Sequence, residues 1–390
     1  MTLLGRLSQL GPEWRIGASH VNTYRVAGHA GLLLASAVAL SLAHARGLSV
    51  VLSVVVLLAG YPTIVAVTFV RKLITGRERL ASFHVAIAYL LAVGGIARVA
   101  GAPALPYLDV TAVGVLTVLV VGRLGCFATG CCYGRPHPRG VAGEAHVRAG
   151  LPRSMSGVRL VPVQLLDAGV AGVAASAGAA GILMAAPVGW ALAACTVLYA
   201  AGRFVVEFFR AEPHRRHIGG LSEAQAISAS LCLIFGLALW VGWPTDSPWL
   251  WAIAWSTVAA AFVRVLRAWA RPDLVSVSEL AHVAHLLAPW RTTPPTPFAL
   301  RAGDPAPSAS LASRGLMVSA SAVPEAGPGV GVVSFSRCER PLHRRDAGRL
   351  GRLAQELSGA SRAHAIASAA GVVHVVVEGM THRTGRTDAL

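Results

Sequence analysis

The chain has 390 residues, of which 54% are apolar and only 13% charged, and its mean hydropathy is +0.59. That charge content is about half of what water-soluble domains carry, which excludes an ordinary soluble globular protein and leaves an integral membrane protein. The formal charge is +16, and the excess is uneven: residues 1–271 hold 22 basic and 9 acidic side chains, residues 272–390 hold 12 and 9.

The positive excess therefore travels with the apolar part of the chain, where anionic lipid headgroups, not nucleic acid, are the natural partner. Six cysteines in a chain of this length do not make a disulfide framework. The residues before the first apolar run are mixed in character and long for the opening of a signal peptide, so an uncleaved start is expected.

In chain order, a first apolar run from about Val26 to Ala43 follows Arg15 and Arg25 and is long enough to span a bilayer. A second, about Leu48 to Val70, ends in Arg71, Lys72, Arg77 and Arg79. Ser82-Phe83-His84 opens a third run to about Gly101, and a fourth starts at Leu108 and terminates on Arg123. The polar segment Pro136 to Arg159 reads as an irregular loop outside the membrane. Pro162 starts a fifth run to about Ala186, rich in the glycine and alanine that let membrane helices pack closely.

A sixth run covers Trp190 to Phe209, a seventh about Leu221 to Trp243, and an eighth, the shortest, about Trp249 to Val263. Trp243, Trp249, Trp251 and Trp255 cluster as an interfacial belt does. The expected fold is an all-α polytopic membrane protein of about 7–8 transmembrane helices over residues 1–270. Residues 271–313 read as an amphipathic helix, about Val275 to Leu287, followed by a Pro/Ala/Ser linker. Residues 314–390 read as a small C-terminal α/β appendage, with strands at Gly315–Ala322, Gly329–Phe335 and Gly371–Glu378 and a helix at His343–Leu357.

Chemistry concentrates in the stretch Gly122 to Arg135, GRLGCFATGCCYGR, which carries an arginine at membrane depth and Cys126, Cys131 and Cys132. The sixth run holds Tyr199, Arg203 and Glu207 at spacings of four, hence on one helical face, with Arg210 close behind. Charges inside apolar segments are costly and normally face a polar interior or pathway; the bland alternative is a lone Arg203–Glu207 pair near the surface. His84 at a helix start reads as a cap, a headgroup contact or an acid–base group. Gln164 and Asp167 share a face of the fifth run, for helix-to-helix hydrogen bonding or for substrate contact.

These residues resemble the prolipoprotein diacylglyceryl transferase family. The likeness rests on GRLGCFATGCCYGR, on Ser82-Phe83-His84, on Pro162 with Gln164-Leu165-Leu166-Asp167, on Tyr199, Arg203 and Glu207 followed by Phe208-Phe209-Arg210, and on Leu221-Ser222 with Gln225. It covers about residues 20 to 245 in family order and leaves out the tail. It implies an enzyme of the bacterial cytoplasmic membrane that moves the diacylglyceryl group of phosphatidylglycerol onto the lipobox cysteine of a prolipoprotein signal peptide, releasing glycerol phosphate without a cofactor.

By that likeness Arg123 and Arg203 grip the phosphate, Glu207 orients Arg203, and His84 or Tyr199 handles the proton. Tyr24, Gly122, Gly125, Gly134, Arg135, Gln164 and Arg210 would contact substrate, Gly134 by letting backbone approach the lipid. Where the family commonly has asparagine after Gly-Arg-x-Gly this chain has Cys126; Cys131 stands where glutamate is common, and Val85-Ala86 where a diglycine is.

The three cysteines offer a soft-metal site, although Cys-x4-Cys-Cys is not a usual zinc spacing, or, where they face an oxidising compartment, a disulfide between two of them. Two rival readings follow: a transferase of a lipid-derived group to another acceptor, and a non-catalytic lipid-binding membrane protein with a metal or redox cysteine cluster. The resemblance places the active face outside the cytoplasm, whereas the arginine-rich connections, counted alone, place it inside.

Overall fold

The computed structural model describes residues 13–16, 19–75, 82–141, 158–211, 217–218, 220–242, 247–270, 277–292, 310–312, 316–322, 330–337, 342, 344–368 and 372–379. A hairpin, β1 (Glu13–Ile16) and β2 (Ser19–Asn22), leads into helix α1 (Thr23–Ala45). Asn22 starts that helix: its side-chain oxygen accepts from the amides of Tyr24 at 2.9 Å and Arg25 at 3.3 Å. Helices α2 (Val50–Leu58) and α3 (Gly60–Thr75) form one crossing broken at Ala59, where Pro62 in the next turn lacks the amide that would continue the ladder.

Helices α4 (Ser82–Val99) and α5 (Ala104–Thr129) follow, then β3 (Pro136–Val141), α6 (Val163–Leu183) and α7 (Trp190–Val206), which tightens into a 3-10 turn at Glu207–Phe209. A two-residue hairpin, β4 (His217–Ile218) and β5 (Leu221–Ser222), opens α8 (Glu223–Trp240), whose Ser222 and Gln225 form a reciprocal capping box. Helix α9 (Pro248–Ala270) closes the bundle.

Seven of these segments are long and apolar enough to cross a membrane: Thr23–Ala45, Val50–Ile74, Ala104–Thr129, Val163–Leu183, Trp190–Phe209, Glu223–Trp240 and Pro248–Arg267. Phe83–Val99 is a shorter apolar helix, so each of the eight expected runs is helical. Successive crossings reverse direction. One end of the bundle therefore gathers the starts of α1, α4, α6 and α8 with the ends of α3, α5, α7 and α9; we call it the site end.

Glycine lets the central helices touch. A Cβ at Gly178 or Gly181 of α6 would run into Cys195 or Trp190 of α7, and one at Gly202 of α7 would run into Val170 of α6. At the opposite end Trp190 stacks edge-on against Trp249 at 6.2 Å and its Nε1 donates to the Ser247 hydroxyl at 3.1 Å, while Trp251 and Trp255 pair at 6.3 Å. Trp243 lies outside the described residues.

The C-terminal part comprises helix α10 (Val277–Thr292), strands β6 (Ser310–Ala312), β7 (Leu316–Ala322) and β8 (Gly331–Arg337), helix α11 (Arg344–Ser358), and strands β9 (Arg362–Ala367) and β10 (Val373–Glu378). The strands form one antiparallel sheet in the order β6-β7-β8-β10-β9. Two strands go beyond the sequence reading. β6 falls at the end of the segment read as linker, and β9, RAHAIA, pairs with β10 although its alternation is too weakly apolar to announce a strand.

The core of this unit, including Leu287, Leu316, Phe335, Leu350 and Val375, is continuous with Tyr133, Val158, Leu160 and Ala211 from the membrane part. Arg337 Nη2 donates to both carboxylate oxygens of Glu279, at 3.1 and 3.0 Å, and so ties β8 to α10. The C-terminal unit thus sits at the site end, where α9 delivers it.

One carboxylate clamps the opposite end. Asp109 of α5, only 3% exposed, accepts from the amides of Gly189 and Leu192 at 2.7 Å each, capping α7 from a neighbouring helix. Asp109→Ala leaves two buried amides without acceptors and is expected to cost about 2–3 kcal/mol. The check is thermal unfolding in detergent: the midpoint falls by several degrees, and an unchanged midpoint refutes the cap.

Candidate functional site

The stretch after α5 is a tight turn held from several sides. Gly130 ends the helix in the left-handed region, at φ 69°, and Cys132 adopts φ 58°, a conformation that residues with a Cβ seldom take. Gln164 Nε2 donates to the Cys131 carbonyl at 2.6 Å. The chain then runs antiparallel to the end of α7: the Ala211 amide donates to the Tyr133 carbonyl at 3.1 Å and the Arg135 amide to the Phe209 carbonyl at 2.8 Å, with Gly134 opposite Arg210. This stitching brings Arg123 and Arg210 to one place.

Asp167 is the centre of the arrangement. Its Oδ2 lies 2.7 Å from Arg123 Nε and 3.7 Å from Arg203 Nε, and its Oδ1 accepts from the Tyr199 hydroxyl at 3.3 Å. Glu207, one turn beyond Arg203, holds Arg203 Nη1 at 2.7 Å and lies 3.8 Å from Arg210 Nη1. Its other oxygen accepts from the Ser222 hydroxyl at 2.9 Å. Arg123, Arg203, Arg210, Asp167 and Glu207 are all buried.

Three guanidiniums and two carboxylates are thus gathered in an apolar bundle, where charges are costly unless they pair with one another or face a polar pathway. The group lies on a cavity of about 1800 Å³. Arg123, Arg203, Arg210, Glu207 and Tyr199 line its polar end, and Leu32, Leu40, Leu116, Leu119, Leu231 and Phe235 line its apolar walls. Such a volume exceeds the roughly 300–1,000 Å³ of ordinary small-molecule sites and has room for a ligand with long apolar chains.

His84 faces the same cavity. Arg71 Nη1 lies 2.9 Å from its Nδ1, and Glu223 Oε1 lies 3.5 Å from its Nε2 and 3.5 Å from the same Arg71 nitrogen. The neighbouring Phe83 packs on Tyr199 with ring centres 5.7 Å apart, which sets the start of α4 beside the α7 ion pairs.

The structure thus gathers Arg123, Tyr199, Arg203, Glu207, Arg210 and His84 around one cavity, with Tyr24 and Gly122 on its wall. Four residues expected to contact substrate stand elsewhere. Gly125 packs against Ala27, to which a Cβ would come within 2.7 Å. Gly134 is glycine because a Cβ would collide with the Val161 carbonyl and the Val163 side chain; the reading of close backbone approach to lipid is corrected to close approach within the protein. Arg135 is exposed, its Nε donating to the Arg210 carbonyl at 3.5 Å, and Gln164 is buried behind the turn it fastens. The expected disulfide is not formed: Cys126, Cys131 and Cys132 carry free thiols, and Cys338 lies outside the described residues.

Sequence reading underrated Asp167, and it passed over Glu223 and the pairing of Arg71. The signal for Asp167 was a carboxylate at the start of an apolar run, and for Glu223 a charge set inside a capping box.

Hydrogen bonds from the Cys126 and Cys131 thiols, and then the charges of Arg210 and Arg123, pull the Cys132 thiol well below its ordinary range. Cys131 is pushed up to about 11: its bond with Cys126 acts downward, and the Cys132 sulfur and burial outweigh it.

Fold and site together define a polytopic α-helical membrane protein with a cationic, arginine-lined pocket at one end of a lipid-sized apolar cavity. Residues 13–242 match the family model described as prolipoprotein diacylglyceryl transferase, and the chain belongs to that family. A phosphatidylglycerol–prolipoprotein diacylglyceryl transferase of Clostridium tetani (strain Massachusetts / E88) is 31% identical over 132 residues, 33% of this chain and 51% of that protein. The chain therefore spans about half the length of this curated relative. All residues of the arginine cluster lie within the matched 13–242, and the C-terminal α/β unit lies outside it.

The thiolate is the nucleophile in alkylation, so the thiol held low reacts first near neutral pH. Limiting maleimide treatment followed by mass spectrometry is expected to modify Cys132 ahead of Cys131, and Arg210→Gln to move the Cys132 profile to higher pH. An unmoved profile refutes the influence of Arg210.

Proposed function

We propose that the protein transfers the diacylglyceryl group of phosphatidylglycerol to the thiol of a prolipoprotein cysteine. The observation that carries this reading is the convergence of Arg123 and Arg203 on one carboxylate at the polar end of the apolar cavity. The phosphodiester of phosphatidylglycerol bears one negative charge, which the guanidiniums at the polar end of the cavity suit, and the apolar walls suit its acyl chains.

In this reading the guanidiniums of Arg123, Arg203 and Arg210 hold the phosphate, and Glu207 and Asp167 fix their orientation. The cysteine sulfur attacks the terminal carbon of the diacylglyceryl group. A C–S bond forms, the C–O bond breaks, and glycerol phosphate leaves with the electron pair, its developing charge met by the same guanidiniums. The incoming thiol gives its proton to His84, which is half-buried in the cavity with Glu223 beside it; Tyr199 is buried and committed to Asp167.

The acceptor is the lipobox cysteine of a signal peptide, and the site end of the bundle faces outward from the bacterial inner membrane. Arginines engaged in ion pairs within a binding pocket are poor reporters of orientation, which reconciles this with the charge count.

The replacements at Cys126 and Cys131 favour, as a second reading, transfer to a different acceptor. Purified protein incubated with radiolabelled phosphatidylglycerol and a lipobox peptide separates the two. Labelled thioether supports the first, lipid turnover without peptide labelling supports the second, and lipid binding without turnover rejects both.

Arg123→Ala and Arg203→Ala are each expected to lower kcat/KM by about 100-fold or more, and His84→Gln by a comparable factor. Glu223→Gln leaves the lipid contacts in place and shifts the pH profile of kcat. Near-wild-type turnover in both arginine variants would remove the phosphate-gripping role.

A further inference from the structure

Apart from the arginine cluster, the densest chemistry in the described residues is the sulfur group of the turn. The Sγ atoms of Cys126, Cys131 and Cys132 all lie within 4.8 Å of one another, and all three residues line the cavity. Transfer of a lipid group, as set out above, uses none of them.

We propose that Cys126, Cys131 and Cys132 form a binding site for one soft, thiophilic metal ion, such as copper(I) or zinc. Three thiolate sulfurs around such an ion, with metal–sulfur bonds of about 2.3 Å, stand roughly 4 Å apart. The observed group needs only a slight inward turn of its side chains to reach that spacing. Soft sulfur donors select these ions over the hard cations that prefer oxygen.

Two further observations point to a ligand rather than to chance proximity. First, Cys132 sits at φ 58°, in the left-handed region, where most side chains meet steric resistance and where departures from ordinary backbone concentrate at binding sites. The turn that imposes this conformation is fastened by the Gln164 bond to the Cys131 carbonyl and by the pairing with the end of α7.

Second, a complex of three thiolates with a monovalent or divalent ion is anionic, and cations stand beside it. Arg123 Nη1 donates to Cys132 Sγ at 3.7 Å, and Arg210 lines the same cavity. The surroundings that suit a phosphate therefore suit a metal trithiolate. An ion held there lies against Arg123, so metal and lipid phosphate compete for one corner of the cavity.

Cadmium serves as the probe, because its thiolate complexes absorb by sulfur-to-metal charge transfer. Titration of the full chain in detergent, reduced and then freed of reductant, is expected to show one tightly bound cadmium per chain. Cys126→Ser, Cys131→Ser and Cys132→Ser are each expected to weaken binding at least 100-fold, while Cys338→Ser and Cys232→Ser leave it unchanged.

Alkylation followed by mass spectrometry of the unaltered protein covers the case of a variant that fails to fold: one equivalent of cadmium protects all three thiols. Alkylation of these thiols at an unchanged rate overturns the proposal. So does a disulfide among the three in protein whose thiols are blocked at the moment of extraction. Both readouts are independent of lipid turnover, so failure here leaves the transferase reading standing, and failure of that assay leaves the metal site standing.

Discussion

A single carboxylate at membrane depth, Asp167, makes the rest of the site possible. Two guanidiniums brought as close as Arg123 and Arg203 repel by several kcal/mol at the effective dielectric of a partly buried site. The shared anion turns that repulsion into two attractions, at 2.7 and 3.7 Å. Because Arg123 lies near the end of α5, Asp167 near the start of α6 and Arg203 in the last turn of α7, the same contacts fix three helices at one end. Asp109 fixes α5 to α7 at the other end, and Gly178, Gly181 and Gly202 let α6 and α7 close the distance between. The helices are thus clamped at both ends by buried acceptors, with shape-matched packing in the middle.

This division explains what could be read in the sequence. The bundle helices were legible because each is an apolar segment, seven of them long enough to cross a membrane and Phe83–Val99 shorter, and the Tyr199–Arg203–Glu207 face was legible because one helix carries all three at fixed spacing. Contacts between helices were not. Nothing in the local pattern distinguishes Asp167, which organises the guanidiniums, from an acid that merely bonds a neighbouring helix. Arg71, at the end of one run, shows no sign of its approach to His84 and Glu223. Gly125 and Gly134 lie in the recognised stretch, so their function was assigned to the ligand; the structure shows their missing side chains making room for Ala27 and Val161. A glycine reports that something approaches closely, not what approaches.

The C-terminal unit bears on the same place. Tyr133 belongs both to the cavity wall and to the hydrophobic cluster that includes Phe335 and Leu350, so the wall presenting Arg123 rests on the C-terminal core. Glu356 of α11 feels Arg159 and His137 of the segment between α5 and α6, a second contact between the two parts. Both contacts follow from topology: α9 ends at the site end, and the C-terminal unit follows it.

The cysteine replacements can be judged against this framework. The turn owes its shape to backbone contacts: Gln164 grips the Cys131 carbonyl, Gly130 supplies the reversal, and Tyr133 and Arg135 pair with the end of α7. None of these bonds uses the side chain of residue 126 or 131. The Cys131 thiol adds only local bonds, donating to the Cys126 carbonyl at 3.7 Å and accepting from the Thr129 hydroxyl at 3.5 Å, so a thiol at either position leaves the backbone contacts that present Arg123 in place. The guanidinium framework and the lining chemistry are therefore separable, and the sulfurs of Cys126 and Cys131 are a change of lining on a preserved frame.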